Sequence, residues 1–152
     1  MPSRWIMVLL LVAAAGCTDD RHDERMRAAG PNPSLERLMQ VASAPAGEAK
    51  FRQCMACHTI IPDALDKEGP NLFGVFGQPF GQNRHGYPYT SALIGAGGRW
   101  DAATLNAWIA NPKRIVPGTT MQFSGVTDPL DRADLIVFLQ SQSAGHATGG
   151  AS

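Results

Sequence analysis

The stretch Cys54-Met55-Ala56-Cys57-His58 decides how the rest of this sequence is interpreted. Two cysteines separated by two residues and followed directly by a histidine form the attachment pattern of a c-type haem, in which the thiols bond to the porphyrin and the histidine ligates the iron. The same cysteine spacing occurs in zinc sites and in thioredoxin-type redox pairs. Zinc would want a second ligand pair, and a redox pair would want a surrounding βαβ pattern; the sequence has neither. The motif therefore predicts one covalently attached haem c, held by Cys54, Cys57 and His58.

The iron needs a sixth ligand or an open site, and Met121 is the candidate ligand. A methionine is most often a filler of the core. Of the six methionines, four lie before residue 40, and Met55 lies inside the haem motif. Only Met121, at the end of Pro117-Gly118-Thr119-Thr120-Met121, lies far enough along the chain to reach the other face of the ring.

The charge balance excludes one broad class of function. The chain of 152 residues has 13 basic and 13 acidic side chains, which gives a formal net charge of zero. A nucleic-acid-binding protein needs a basic surface, so we expect no nucleic-acid partner. Glycine (16) and proline (11) are abundant, which indicates a loop-rich fold that a haem would help to organise.

The N-terminus has the pattern of an export signal. Arg4 precedes an apolar run, Trp5 to Ala15, which is too short to span a bilayer. Ordinary cleavage after Ala15 is one interpretation. The other is a lipoprotein signal ending at Gly16, with Cys17 as the lipidated first residue, although Ala14 stands where such signals usually have leucine. A free thiol would be a liability in an oxidising periplasm, which favours the lipoprotein.

The remaining segments outside the domain have few apolar residues. We predict a signal peptide over 1–16, a lipid-anchor site and flexible linker over 17–45, and a disordered tail over 143–152. A tether of about 28 residues would span on the order of 30 Å, and an alternative is a disordered stretch without selected length. Within the linker only 34–41 has a short helical pattern. No role is predicted for His22 or His146, and His85 is predicted to lie at the surface.

Residues 46–142 hold the predicted domain, which is all-α. Helices are expected over 47–58, over 89–94, after an N-cap at Asp101, and after Asp128 with Pro129 at the first helical position. No convincing strand alternation is present. We therefore expect a small fold of about four to five helices around one haem.

From about Gly47 to Gln142, the chain resembles a class I cytochrome c of the short mitochondrial and photosynthetic-bacterial type. The resemblance covers nearly two-thirds of the chain and rests on motifs in the family's order. They are Cys54-Met55-Ala56-Cys57-His58, Gly69-Pro70-Asn71-Leu72-Phe73-Gly74, Tyr87-Pro88-Tyr89-Thr90-Ser91-Ala92, Trp100, Asn111-Pro112-Lys113, Pro117-Gly118-Thr119-Thr120-Met121 and Arg132-Ala133-Asp134-Leu135-Ile136.

The resemblance implies a set of haem contacts. His58 and Met121 would be the axial ligands, and the carbonyl of Pro70 would accept a hydrogen bond from the far nitrogen of His58. Gly47 and Phe51 would pack against the last helix. Further contacts would come from Tyr89 and Trp100 at a buried propionate, Thr119 at the other propionate, and Phe123 at the exposed haem edge.

Two positions depart from the family's pattern. Gln78 stands where the family often has an arginine near the inner propionate, and Thr120 stands where mitochondrial members usually have lysine. Lys113 and Arg114 remain near the expected haem edge. Because few lysines surround the expected haem edge to steer a partner, docking to redox partners should depend less on salt concentration than it does in strongly basic relatives.

Together these features predict a monohaem c-type cytochrome, monomeric, acting as a one-electron carrier on the periplasmic side of a bacterial envelope and anchored to the membrane through Cys17. It would exchange electrons with redox partner proteins and would not be an enzyme in its own right. Two alternatives remain open. One is a haem-bearing subunit of an oxidoreductase complex, and the other is a gas-binding or peroxidase protein with an open sixth site.

Overall fold

A computed structural model describes residues 20–143 as an all-α fold, as the sequence predicts. Within this range the only β-structure is an isolated bridge between Pro79 and Arg99. The helices are α1 Asp20–Ala29, α2 Leu35–Val41, α3 Ala44–Phe51, α4 Ser91–Ala96, α5 Ala102–Ala110, α6 Pro112–Ile115 and α7 Pro129–Ser141. Five of these helices, α3 to α7, belong to the predicted domain, which confirms the expected four to five. Helices α1 and α2 lie in the predicted linker, where α2 matches the short helical pattern over 34–41.

The helix boundaries follow from capping side chains. Asp101 accepts the N–H of Thr104 at 2.8 Å while the Thr104 hydroxyl accepts the N–H of Asp101 at 2.9 Å, which starts α5 as expected. Asp128 caps α7, with Pro129 at its first turn. Thr90 caps α4, so this helix begins two residues later than predicted.

Helix α3 is shorter than the sequence indicated. It ends at Phe51, and residues 52–57 form turns rather than the last turns of a helix over 47–58. The Cys54 N–H bonds to the Phe51 carbonyl at 2.8 Å, a tighter spacing than the α-helical one. The haem motif therefore lies on turns that leave the end of α3.

The core centres on the crossing of α3 and α7. A Cβ atom on Gly47 would lie 2.0 Å from the carbonyl oxygen of Asp134, so the two backbones approach more closely than any side chain allows. The rings of Phe51 and Phe138 pack with centroids 5.3 Å apart. The predicted packing of Gly47 and Phe51 on the last helix is present.

The predicted flexible linker is wrong for its described part. Helices α1 and α2 pack on α7, and Leu38 is only 3% exposed in a second small core. The Arg25 guanidinium contacts both carboxylate oxygens of Asp134, at 2.5 and 2.9 Å, and the Ser43 N–H bonds to the same carboxylate at 2.7 Å. The Asp134 side chain is 0% exposed, and a buried carboxylate needs such partners.

The domain boundaries shift at both ends as a consequence. The folded unit includes α1 and α2 in addition to the domain predicted from residue 46, and it includes Ser143, which was assigned to the tail. The Ser143 hydroxyl donates to the Leu139 carbonyl at 3.0 Å and accepts the Phe76 N–H at 3.1 Å. The predicted signal peptide, Cys17, and the tail from 144 onward, with His146, lie outside the described residues.

In the described part of the chain, no helix combines the length and the apolar character that crossing a membrane requires.

The packing of α2 yields a direct test of the corrected linker. Leu38→Ala should lower the free energy of unfolding by about 2–3 kcal/mol, because it opens a cavity under α2. The matched control is Glu36→Ala on the exposed side of the same helix, which should change it by less than about 0.5 kcal/mol. Urea unfolding followed by circular dichroism measures both. Equal effects of the two substitutions would contradict a packed α2.

Candidate haem site

The turns after α3 bring the two cysteines and His58 to one cavity. The His58 N–H bonds to the Cys54 carbonyl at 2.9 Å, which holds the motif as a compact turn. The cavity has a volume of about 380 Å³ and is lined mostly by apolar side chains. All nine cofactor-binding residues predicted for the domain line it: Cys54, Cys57, His58, Pro70, Tyr89, Trp100, Thr119, Met121 and Phe123.

The imidazole of His58 is held in one orientation. Its Nδ1 lies 2.8 Å from the carbonyl oxygen of Pro70, which only accepts hydrogen bonds, so Nδ1 is the protonated nitrogen. Burial lowers the pKa of His58 below its usual value, which favours the neutral ring. Since the proton sits on Nδ1, the lone pair of Nε2 is available to a metal. The residue is 8% exposed, so bulk water has little access.

Gly69 makes room for this imidazole. A Cβ atom at position 69 would lie 2.3 Å from Cε1 of His58, well inside contact distance. The Gly69 N–H also donates to the Cys57 carbonyl at 2.8 Å, tying the loop to the haem motif. A glycine is therefore required here by close approach.

Asn71 positions the loop, a role that sequence reasoning did not assign. It is 1% exposed, and its amide donates to the carbonyls of Ile61 at 2.8 Å and Ala64 at 3.1 Å. Its side-chain oxygen accepts the N–H of Phe73 at 2.9 Å, and its own N–H donates to Asp66 at 2.7 Å. The signal in the sequence was an asparagine directly after a proline, which favours such local turns.

The surroundings of the two motif thiols raise the pKa of each. Burial raises the pKa of the Cys54 thiol to about 11. The Cys57 thiol donates to Glu68 at 3.4 Å, and that hydrogen bond raises its pKa as well. Both groups therefore carry their protons at neutral pH.

Tyr89 and Trp100 also line this cavity. Burial raises the pKa of Tyr89 to about 12, so its phenol keeps a proton to donate. The Trp100 ring packs between the rings of Phe80 and Trp108, with centroid distances of 4.1 Å and 5.2 Å. Its backbone N–H donates to the Gln78 carbonyl at 2.9 Å. Gln78 is not among the lining residues of the haem cavity; the expected propionate contacts of Tyr89 and Trp100 stay predictions.

The Met121 loop is anchored by its own backbone. The Thr119 hydroxyl accepts the Met121 N–H at 3.2 Å, and the Thr119 N–H bonds to the carbonyl of the buried Val116 at 2.9 Å. The Met121 side chain packs against the main core. A thioether and an imidazole thus line the same cavity, together with two thiols on one turn. This donor set and the apolar walls fit a covalent haem c with two axial ligands.

His22 and His85 have different surroundings. His85 is exposed, as predicted. His22 was assigned no role, but its Nε2 lies 3.3 Å from Asp128, at the start of α7. The sequence carried no signal for this pairing, because more than a hundred residues separate the two.

The chain is similar to several proteins named as cytochromes c. A cytochrome c homolog of Bradyrhizobium diazoefficiens is 42% identical over 116 residues, which cover 76% of this chain and 63% of that protein. A cytochrome c2 of Rhodomicrobium vannielii is 45% identical over 96 residues, covering 63% of this chain and 76% of the relative. The solved structure of cytochrome cH from Methylobacterium extorquens superposes with a TM-score of 0.62 at 41% identity, covering 66% of this chain and 99% of that one.

The chain spans somewhat less than two-thirds of the length of the Bradyrhizobium protein. The chain matches no protein-family model.

Close packing at Gly69 gives a test of the site. Gly69→Ala should displace the imidazole of His58 and lower the stability of the haem-loaded protein by about 1–3 kcal/mol, the usual cost of overpacking. The control is Gly95→Ala in α4, where an added Cβ meets no atom within 4 Å. Thermal unfolding and the ferric absorption spectrum measure both variants. An unchanged spectrum and unchanged stability in Gly69→Ala would show that the loop does not press on the ring.

Proposed function

The chain belongs to the class I cytochrome c family, and on that premise we propose that it carries single electrons between redox partner proteins on the periplasmic side of a bacterial envelope, where a lipid on Cys17 holds it at the membrane. Membership implies one covalently attached haem c and an electron-transfer protein rather than an enzyme. The observation that carries the proposal is the meeting of both motif cysteines, His58 and Met121 in one apolar cavity.

Protein groups on the His58 side keep the site rigid. When bound, the haem iron supplies a one-electron couple whose potential a thioether ligand raises. The Pro70 carbonyl fixes the imidazole through Nδ1, and Gly69 and Asn71 hold that carbonyl in place. A ligand that cannot rotate changes little between oxidation states, so little reorganisation opposes electron transfer.

The Met121 side supports a closed site. The loop is tied by Thr119 to Val116, and Met121 packs on the core rather than extending into solvent. Apolar lining side chains exclude water, which keeps competing ligands away from the metal. This arrangement favours a His58/Met121 carrier over an open-site gas sensor or peroxidase.

The surface near the Met121 loop has few charges with which to steer a partner. Lys113 and Arg114 are exposed, and the Lys113 ammonium bonds to Gln122 at 3.2 Å. With a formal net charge of zero, the chain has no net positive charge with which to attract an acidic partner. We propose that docking relies on short-range contacts and varies little with ionic strength.

The folding of α1 and α2 changes what a lipid anchor would do. Only Thr18 and Asp19 separate Cys17 from the first residue of α1. Three Cα steps span at most about 11 Å, far less than the roughly 30 Å expected of a free 28-residue tether. A lipid on Cys17 would hold the monomeric domain close to the membrane surface instead of letting it swing.

Replacing the proposed sixth ligand tests the carrier function. Met121→Leu keeps an apolar side chain of similar size but has no sulfur. The near-infrared charge-transfer band of the ferric protein should disappear, the ferrous protein should bind carbon monoxide, and the midpoint potential should fall by on the order of 0.1–0.3 V, within the ~0.8 V range that axial ligands span.

The matched control is Met39→Leu, another methionine packed at the core, which should leave the band, the gas binding and the potential unchanged. A high-spin ferric spectrum in the unmodified protein would rule out the closed carrier. Stable co-purification with a dehydrogenase or oxidase would instead favour a complex subunit.

The anchor is tested by mass spectrometry of the mature N-terminus. A diacylglycerol-modified Cys17 and membrane fractionation are expected, with release into the soluble periplasmic fraction in Cys17→Ser. An unmodified N-terminus beginning at Gly16 would exclude the lipoprotein.

A further inference from the structure

Helix α1 and the first turn of α7 bring together three potential metal ligands far from the haem motif in sequence. His22 Nε2 lies 3.3 Å from Asp128 Oδ1 and 3.6 Å from Asp131 Oδ1. The three ligand atoms lie within 4.8 Å of one another. His22 comes from α1, whereas Asp128 is the N-cap of α7 and Asp131 lies in its first turn. Any atom bound by all three would therefore join the two helices.

The two distances from His22 match the spacing of neighbouring ligands around a small divalent cation. Bonds of about 2.0–2.2 Å from Zn²⁺ to histidine nitrogen and carboxylate oxygen place neighbouring ligands of a tetrahedron roughly 3.3–3.6 Å apart. The two distances from His22 fall at the ends of that interval. Three protein ligands leave the fourth position to water.

A second observation concerns Asp131 Oδ1. This oxygen is fully buried, and no group within residues 20–143 forms a hydrogen bond to it. The other oxygen, Oδ2, accepts from the Lys50 ammonium at 2.9 Å. A buried carboxylate oxygen without a donor is costly, and a cation between it and His22 would satisfy it.

Outer contacts orient two of the ligands as metal sites require. The Nδ1 of His22 faces Asp23 at 3.6 Å, which leaves Nε2 directed at the aspartates. Asp128 Oδ1 also accepts the N–H groups of Leu130, at 2.8 Å, and Asp131, at 3.0 Å, so this carboxylate is fixed by the start of α7. Ligating imidazoles and carboxylates are commonly supported in this way.

The local charge suits a dication. The carboxylates of Asp23, Asp128 and Asp131 face His22, and the Lys50 ammonium on α3 offsets one of them. Arg25, the nearby cation on α1, is paired with Asp134. With a neutral imidazole, the cluster therefore holds two negative charges in excess.

We propose that His22, Asp128 and Asp131 form a binding site for a divalent first-row transition cation, which fastens α1 to α7. Histidine with carboxylates suits Zn²⁺, Co²⁺ or Ni²⁺ better than Ca²⁺ or Mg²⁺, which prefer oxygen ligands only. The site is independent of the haem. Its role is structural, because it would clamp the segment that leads to Cys17 onto the electron-transfer domain.

The test is a zinc titration of the untagged, haem-loaded full chain at pH 7.5, after treatment with EDTA and its removal. Calorimetry should detect one site, and unfolding should shift to higher temperature. At free Zn²⁺ one hundred times the dissociation constant, the ratio of folded to unfolded protein should rise about 100-fold. The shift should vanish when EDTA is added back.

Variants identify the ligands. His22→Gln and Asp131→Asn should abolish the site, and Asp131→Asn leaves the contact between His22 and Asp128 in place, so loss of binding there is not loss of the α1 contact. Asp23→Asn should weaken binding roughly tenfold, as removal of an outer partner does. His85→Gln is the control for adventitious surface binding and should bind Zn²⁺ normally.

Two results would overturn the proposal. One is the absence of a stoichiometric site in the unmodified chain; a contact held by a protonated His22 alone would give this result. The other is zinc binding that survives both His22→Gln and Asp131→Asn. Circular dichroism and haem absorption in EDTA show that each variant is folded before zinc is added.

Discussion

The crossing of α3 and α7 at Gly47 is the constraint on which the rest of the structure depends. Gly47 lies directly against the Asp134 backbone, since even a methyl group there would overlap its carbonyl oxygen. That contact fixes the end of α3 at Phe51 beside Phe138, and the turns that follow deliver Cys54 and His58 to the cavity. The side chain of the same Asp134 recruits Arg25 and the Ser43 N–H. One close approach thus organises both the site and the N-terminal helices.

The site itself is built from loops that polar groups hold in place. Gly69 leaves room for the imidazole, Asn71 ties the following segment to the carbonyls before it, and Thr119 anchors the approach to Met121. Short helices supply the frame, and α5 closes the back of the cavity through Leu105 and Trp108. Loops fixed by hydrogen bonds suit a one-electron carrier, because ligands held by a fixed backbone need not reorganise when the charge of the iron changes.

Much of this could be predicted because the responsible signals are local. The haem motif, the Asp101 and Asp128 caps, and the single domain methionine placed to act as a ligand are all legible as short patterns in the sequence. The predicted linker failed for the opposite reason. Its charged residues indicate a solvated tether when considered alone, yet Arg25 is the partner of a buried carboxylate 109 residues away. The positioning role of Asn71 was not predicted, because it depends on hydrogen bonds to carbonyl groups that the fold brings around its side chain.

The sequence by itself determined the chemistry of this protein, since two thiols and a histidine on one turn specify a covalent haem wherever the chain folds around them, and the capping residues specify where its later helices begin. Only the tertiary structure decided the extent of the folded unit and the surroundings of His22. Long-range pairing has no local signature, and the burial of Asp134 turned an apparently flexible segment into two packed helices. Consequently only two residues, instead of a long flexible linker, separate Cys17 in the sequence from the first helix of the folded unit.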